Sequence, residues 1–144
     1  MELSIYTDGA CRPNPGVGAY GYVILSSQEE KVHEFSTRVD DTTNNIMELS
    51  AVLAALNYSF VTYPDAVIHL YTDSQYVKLG ITEWIKLWKK RNWKTADGKG
   101  VKNQDLWFLL DEIIQHVHVQ FHWVKGHASS EWNNYVDELC DKHY

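Results

Sequence analysis

The sequence predicts a single mixed α/β domain: a five-stranded sheet flanked by helices, spanning residues 1–144. Three observations lead there. Segments of period-two hydrophobicity alternate with segments of helical period. Glycine, proline and asparagine punctuate the changes of period. A length of 144 residues suits one core rather than two, and no internal repeat or linker divides it. The element order reads βββ-α-β-α-α-α-β-α, with the first three strands an antiparallel meander. With 44% hydrophobic and 22% charged residues, disordered and collagenous classes are excluded.

Each element has its own signal. Residues 2–8 alternate, with Leu3, Ile5 and Thr7 on one face, and end at Asp8-Gly9 as a strand meeting a turn. Residues 9–18 are dense in glycine and proline and predict a loop. Residues 19–26 and 31–39 predict the second and third strands. From Thr43 the period changes: Ile46, Leu49, Leu53, Leu56 and Phe60 recur every three or four residues. That pattern predicts a helix capped by Thr42, Thr43 or Asn44 and ending before Pro64. The short apolar run 66–72 suits a buried strand, and Asp73-Ser74 resembles a helix cap. A short basic helix over 82–91, a loop over 93–102 and a helix from Asn103 to His116 follow. Residues 117–124 alternate again, and 130–143 predict a last amphipathic helix.

Charge is segregated. The chain has a net charge of −6, which by itself argues against a nucleic-acid partner. Residues 86–102, however, carry Lys86, Lys89, Lys90, Arg91, Lys94, Lys99 and Lys102 against Asp97 alone, a local +6 in a body of −12. Such a patch can hold a polyanion despite an acidic average. No apolar run approaches the roughly 20 residues of a bilayer span. Met1-Glu2-Leu3-Ser4-Ile5 carries no basic stretch ahead of an apolar core. Cys11 and Cys140 form no metal or redox pair, so free thiols and a cytoplasmic location are expected.

Four carboxylates fall where such a fold converges: Asp8 after the first strand, Glu48 in the long helix, Asp73 after the buried strand and Asp137 on the last helix. Acidic residues at the carboxyl ends of strands line the edge where open α/β sheets bind ligands. Each aspartate alone is equally a turn or cap residue. Gathered together they would repel unless cations sat among them, and an all-oxygen set suits a hard ion such as Mg²⁺. A pair of such ions about 3.5–4 Å apart supports phosphodiester hydrolysis.

The segments Tyr6 to Cys11 with Asn14-Pro15-Gly16, Thr42 to Leu49, Thr72 to Val77, Trp123 to Ala128 and Asn133 to Asp137 resemble, in order and spacing, type 1 ribonuclease H of the bacterial branch. The resemblance covers essentially the whole chain. It implies the ribonuclease H-like fold and endonucleolytic hydrolysis of the RNA strand of an RNA–DNA hybrid, leaving a 3′-hydroxyl and a 5′-phosphate. Asp8, Glu48, Asp73 and Asp137 would then hold two Mg²⁺ ions, for which Mn²⁺ can substitute. His127 would assist proton movement or product departure. Asn14, Asn44, Asn45 and Gln75 would contact the hybrid near the scissile region, where 2′-hydroxyls mark RNA. Thr43 and Asn103 would hold a phosphate of the DNA strand.

The basic segment at about 84–102 resembles the family's handle, with Lys89, Lys90, Lys94 and Trp93 as expected contacts. Trp84, Trp88 and Trp107 fit the core equally well, whereas Trp93, between Asn92 and Lys94, reads as the exposed one. Asp40-Asp41 stands where relatives are often basic or neutral, which would weaken phosphate gripping. No hybrid-binding module precedes Met1, so grip is expected from the handle, in a free-standing monomer. The alternatives are a catalytically silent hybrid-binding module or the ribonuclease H domain of a reverse transcriptase; the intact carboxylate set favours an active enzyme.

Other chemistries find less support. The glycine-bearing loop lacks the Gly-Lys-Ser/Thr of a phosphate-cradling P-loop, and no nucleophile elbow accompanies a Ser–His–Asp set. His116, His118 and His122 are expected on one strand face; without a cysteine partner that face reads as solvated. His33, His69 and His143 carry no evident role. Cys11, near Asp8, reads as a small packed residue.

Overall fold

The computed structural model of the chain describes residues 1–95, 98, 100–124 and 131–144. Five strands form one sheet: β1 (Glu2–Cys11), β2 (Gly16–Leu25), β3 (Lys31–Thr42), β4 (Val67–Thr72) and β5 (His118–Trp123). Their spatial order is β3-β2-β1-β4-β5. β1 is the central strand, antiparallel to β2 and parallel to β4; β4 in turn pairs in parallel with β5. The helices are α1 (Asn44–Thr62), α2 (Gln75–Leu79), α3 (Ile85–Lys90), α4 (Gln104–Ile114) and α5 (Glu131–Asp141). The expected fold class and order are those observed.

Alternation decides what covers each face. Leu3 and Ile5 of β1 and Ile68 and Leu70 of β4 point to the side where α1 lays Leu49, Val52, Leu53 and Leu56. Burying each such aliphatic side chain is worth about 1.5–3 kcal/mol. The opposite face, through Ala19, Val23 and Leu25, meets Val136 and Cys140 of α5. Thr43 caps α1, its hydroxyl accepting from the Ile46 N–H at 3.2 Å, and Ser74 caps α2 likewise through the Val77 N–H at 3.2 Å.

Several boundaries differ from expectation. β1 continues through Asp8 to Cys11, because β2 still pairs with it (Asp8 with Gly21, Cys11 with Gly18) after β4 has left at Tyr6–Tyr71. The expected loop over 9–18 therefore shrinks to residues 12–15, and Asp8 lies inside a strand rather than at its end. β3 runs on to Thr42 instead of stopping at 39. The expected helix over 82–91 begins earlier: α2 and α3 are joined through a π-helical turn, Gly80–Trp84. Gly80 lets that turn pack against the core, since a Cβ there would lie 1.9 Å from the fully buried Trp107.

Candidate active site

The site is built where β1 passes the first turns of α1. Gly9 permits the approach: a Cβ there would stand 2.4 Å from the Met47 carbonyl carbon and 2.7 Å from the Glu48 nitrogen. That contact sets Glu48 beside Asp8, and the parallel pairing of β1 with β4 brings Asp73 to the same edge. Asp8, Glu48 and Asp73 each offer a carboxylate oxygen, all within 4.8 Å of one another. Asp137 of α5 hydrogen-bonds the Asp8 carboxyl and completes the floor of the groove. The groove has a volume of about 380 Å³ and is also lined by Arg12, Asn44, Asn45 and Gln75.

The electrostatics follow from this crowding. Burial, then the Asp137 and Asp73 carboxylates, push Asp8 up to about 8, against the pull of the Gly9 N–H. Burial, with Asp8 and Asp73 adding to it, raises Glu48 well above the usual carboxylate range. Glu48 Oε2 is buried without a hydrogen-bond partner. A buried acceptor lacking a donor, among carboxylates that repel, is a set of groups that could hold a cation. The donors are all oxygen, which fits Mg²⁺ or Mn²⁺ and disfavours softer ions.

Around this cluster the amides are already organised. Asn14 Oδ1 accepts from the Asn44 N–H at 3.1 Å, and Asn44 Oδ1 accepts from the Cys11 N–H at 2.6 Å, tying the β1–β2 turn to the start of α1. Asn45 and Gln75 are exposed along the groove. Asn103 Nδ2 donates to the Tyr76 hydroxyl at 3.1 Å, and Trp107 Nε1 donates to the same oxygen at 3.1 Å. Arg12 and Tyr76, not singled out in the sequence, belong to the lining as well. Arg12 pairs with Asp141 at 3.2 Å and lies over the Tyr144 ring.

The basic segment needs a correction. Trp93 is only 9% exposed, stacked on Phe108 at 4.0 Å between ring centroids, whereas Trp84 and Trp88 are half-buried. Asn92 and Trp93 both have positive φ (53° and 60°), which turns the chain back so that the indole faces inward. Trp93 is a core residue of this basic segment, not an exposed contact. Lys89 is engaged by Asp111 at 2.9 Å, while Lys90 and Lys94 are exposed. His127 lies outside the described residues, as does the expected loop that carries it. His116 is not on the β5 face; it sits beside Phe60.

The family model for RNase H matches residues 1–144. The chain belongs to the ribonuclease H family. Ribonuclease HI of Haemophilus influenzae is 50% identical over 141 residues, covering 98% of this chain and 88% of the relative. The crystal structure of LC9-RNase H1, a type 1 RNase H with the type 2 active-site motif, matches with a TM-score of 0.86. It is 26% identical, covering 98% of this chain and 71% of that one. LC11-RNase H1, crystallised in complex with an RNA/DNA hybrid, matches with a TM-score of 0.70 at 25% identity, over 97% and 94% of the two chains. The ribonuclease H fold thus explains why carboxylates from β1, α1, the end of β4 and α5, distant in sequence, share one groove. No helix among the described residues is long and apolar enough to cross a membrane.

Proposed function

We propose that this chain is an endoribonuclease that hydrolyses the RNA strand of RNA–DNA hybrids, leaving a 3′-hydroxyl and a 5′-phosphate. The observation that carries the reading is the convergence of Asp8, Glu48 and Asp73 within 4.8 Å, beside a buried, unpartnered Glu48 oxygen. Bound there, a pair of Mg²⁺ ions (or Mn²⁺) would supply a more acidic, nucleophilic water and offset charge at the leaving oxygen. Asp8, Glu48, Asp73 and Asp137 would hold them. Family relatives bearing the ribonuclease name, one of them crystallised with a hybrid, supply the substrate class.

The remaining residues take the roles that the family resemblance implies. Asn14 and Asn44 brace one another on the rim, and the exposed Asn45 and Gln75 would meet the 2′-hydroxyls that separate RNA from DNA. Thr43 and Asn103 would bind a phosphate of the DNA strand, and Lys90 and Lys94 would extend that grip. His127 would assist proton movement or product departure. The enzyme would act as a cytoplasmic monomer.

Asp73→Asn provides the test, on a labelled hybrid alongside double-stranded RNA and double-stranded DNA, with Mg²⁺ or chelator. The parent should cut the hybrid alone and only with metal. The variant should lose several orders of magnitude in cleavage while still binding hybrid. Activity within tenfold of the parent would overturn the assignment. His127→Ala should be milder, within the about 10²–10⁴-fold that proton transfer contributes.

A further inference from the structure

Away from the carboxylate groove, the sheet face that α5 covers carries a second cluster of ligating groups. α5 packs over β1 and β2 through Val136 and Cys140. On the same face, further across, the parallel register sets Tyr71 opposite His122 and His69 opposite Gln120. His69 Nδ1 and His122 Nε2 stand 3.0 Å apart, and His69 Nε2 stands 3.0 Å from Glu2 Oε1. The His122 ring also stacks on Tyr71, centroids 4.7 Å apart and planes 17° apart, which fixes its orientation. His69 keeps 24% of its side-chain surface exposed, so the pair is open to solutes.

The proton positions follow from Glu2. A carboxylate only accepts, so His69 Nε2 carries the hydrogen, and in the neutral ring Nδ1 is bare and faces His122. A histidine whose far nitrogen donates to a carboxylate while its near nitrogen is unprotonated is the arrangement seen in protein zinc sites. The spacing agrees. Two nitrogens about 2.0–2.1 Å from a tetrahedral Zn²⁺ lie about 3.3 Å apart, a few tenths of an ångström more than the pair already has.

We propose that His69 Nδ1 and His122 Nε2 form a binding site for a borderline divalent cation of the Zn²⁺ class, with Glu2 orienting His69 and water filling the other positions. The proton on His122 Nε2 moves to Nδ1 through solvent when the ion enters. The site is separate from the carboxylate cluster: His69 precedes Asp73 by four residues of extended chain, about 13 Å. Imidazole nitrogen also distinguishes the two, since Mg²⁺ prefers the oxygen set.

The test is a calorimetric titration of the full chain with Zn²⁺ in saturating Mg²⁺, which occupies the carboxylates. One Mg²⁺-insensitive equivalent is expected, with the imidazole resonances of His69 and His122 shifting. His69→Ala and His122→Ala should each abolish it, and Asp73→Asn should keep it. Should His122→Ala fail to fold, His122→Gln, which retains a polar partner for His69 but no imidazole, carries the same expectation. Glu2→Gln should weaken binding about tenfold, and unchanged affinity there would overturn the orienting role. An equivalent that survives both histidine variants, shifts confined to His116 or His118, or no such equivalent in the parent would overturn the site.

Discussion

Asp8 shows how one residue can serve function at a cost to the fold. Buried and facing Asp137 and Asp73, its carboxyl is pushed up to about 8, so without metal the folded chain binds a proton that the unfolded chain releases near 4. For an acid raised in this way, stability falls as pH rises through that window and returns on acidification. The metal-free protein should therefore melt at lower temperature at pH 8 than at pH 5.5, as far as this group is concerned. Mg²⁺ binds the folded arrangement alone and should raise the melting temperature more at pH 8, where it need not displace a proton. A calorimetric Mg²⁺ effect independent of pH would contradict this. Asp8→Asn should stabilise the metal-free fold by roughly 1–4 kcal/mol at pH 7, the upper end being the full cost of the displaced pKa up to that pH. The same change should remove cleavage.

At the scale of elements, what matters is how closely they approach. Gly9→Ala would drive a methyl into the Met47–Glu48 peptide, so β1 and α1 must part. The expected loss is about 1–3 kcal/mol by overpacking, together with weaker Mg²⁺ binding as Glu48 draws away from Asp8. A melting curve and a Mg²⁺ titration check both, and unchanged metal affinity would show the approach to be structural only. That contact was illegible in the sequence, where Asp8-Gly9 reads as a turn; only the continued β2 pairing reveals a strand. By contrast, the period of α1 and a cap at Thr42, Thr43 or Asn44 and at Asp73-Ser74 were legible, because they depend on local spacing. The four carboxylates became one set only through the expected fold and the family resemblance, each aspartate alone reading equally as a turn or cap. Trp93 misled for a physical reason. Its neighbours Asn92 and Lys94 are polar, but two left-handed residues reverse the chain and fold the indole inward. The pairing of His69 with His122 rests on the register of β4 and β5, which no local pattern encodes.

For the molecule as a whole, the question is how an acidic protein holds a polyanion. The local +6 of residues 86–102 must outweigh a body of −12 within the reach of salt screening, about 8–10 Å. Changing Lys90, Arg91 and Lys94 to Gln should raise KM strongly and leave kcat nearly intact, since these groups act alike on ground and transition states. The log K against log salt slope should flatten by about 0.7–0.9 per lost phosphate contact. Lys89→Gln should change both least, because Asp111 already neutralises it. A fixed KM and slope would remove the handle from the substrate path. The central place of β1 has one more consequence, for the order in which the chain is made. Synthesis releases the N-terminus first, so β1, β2 and β3 can close their antiparallel pairs early. The other edge of β1 stays bare until β4 appears at Val67, and Asp137 arrives last of the four carboxylates. Glu48 meets Asp8 once α1 packs on β1, but the added repulsion of Asp73 and Asp137 is absent while the first half of the molecule forms. It enters only when most of the core exists to bear it, and a half-made chain carries no cutting centre.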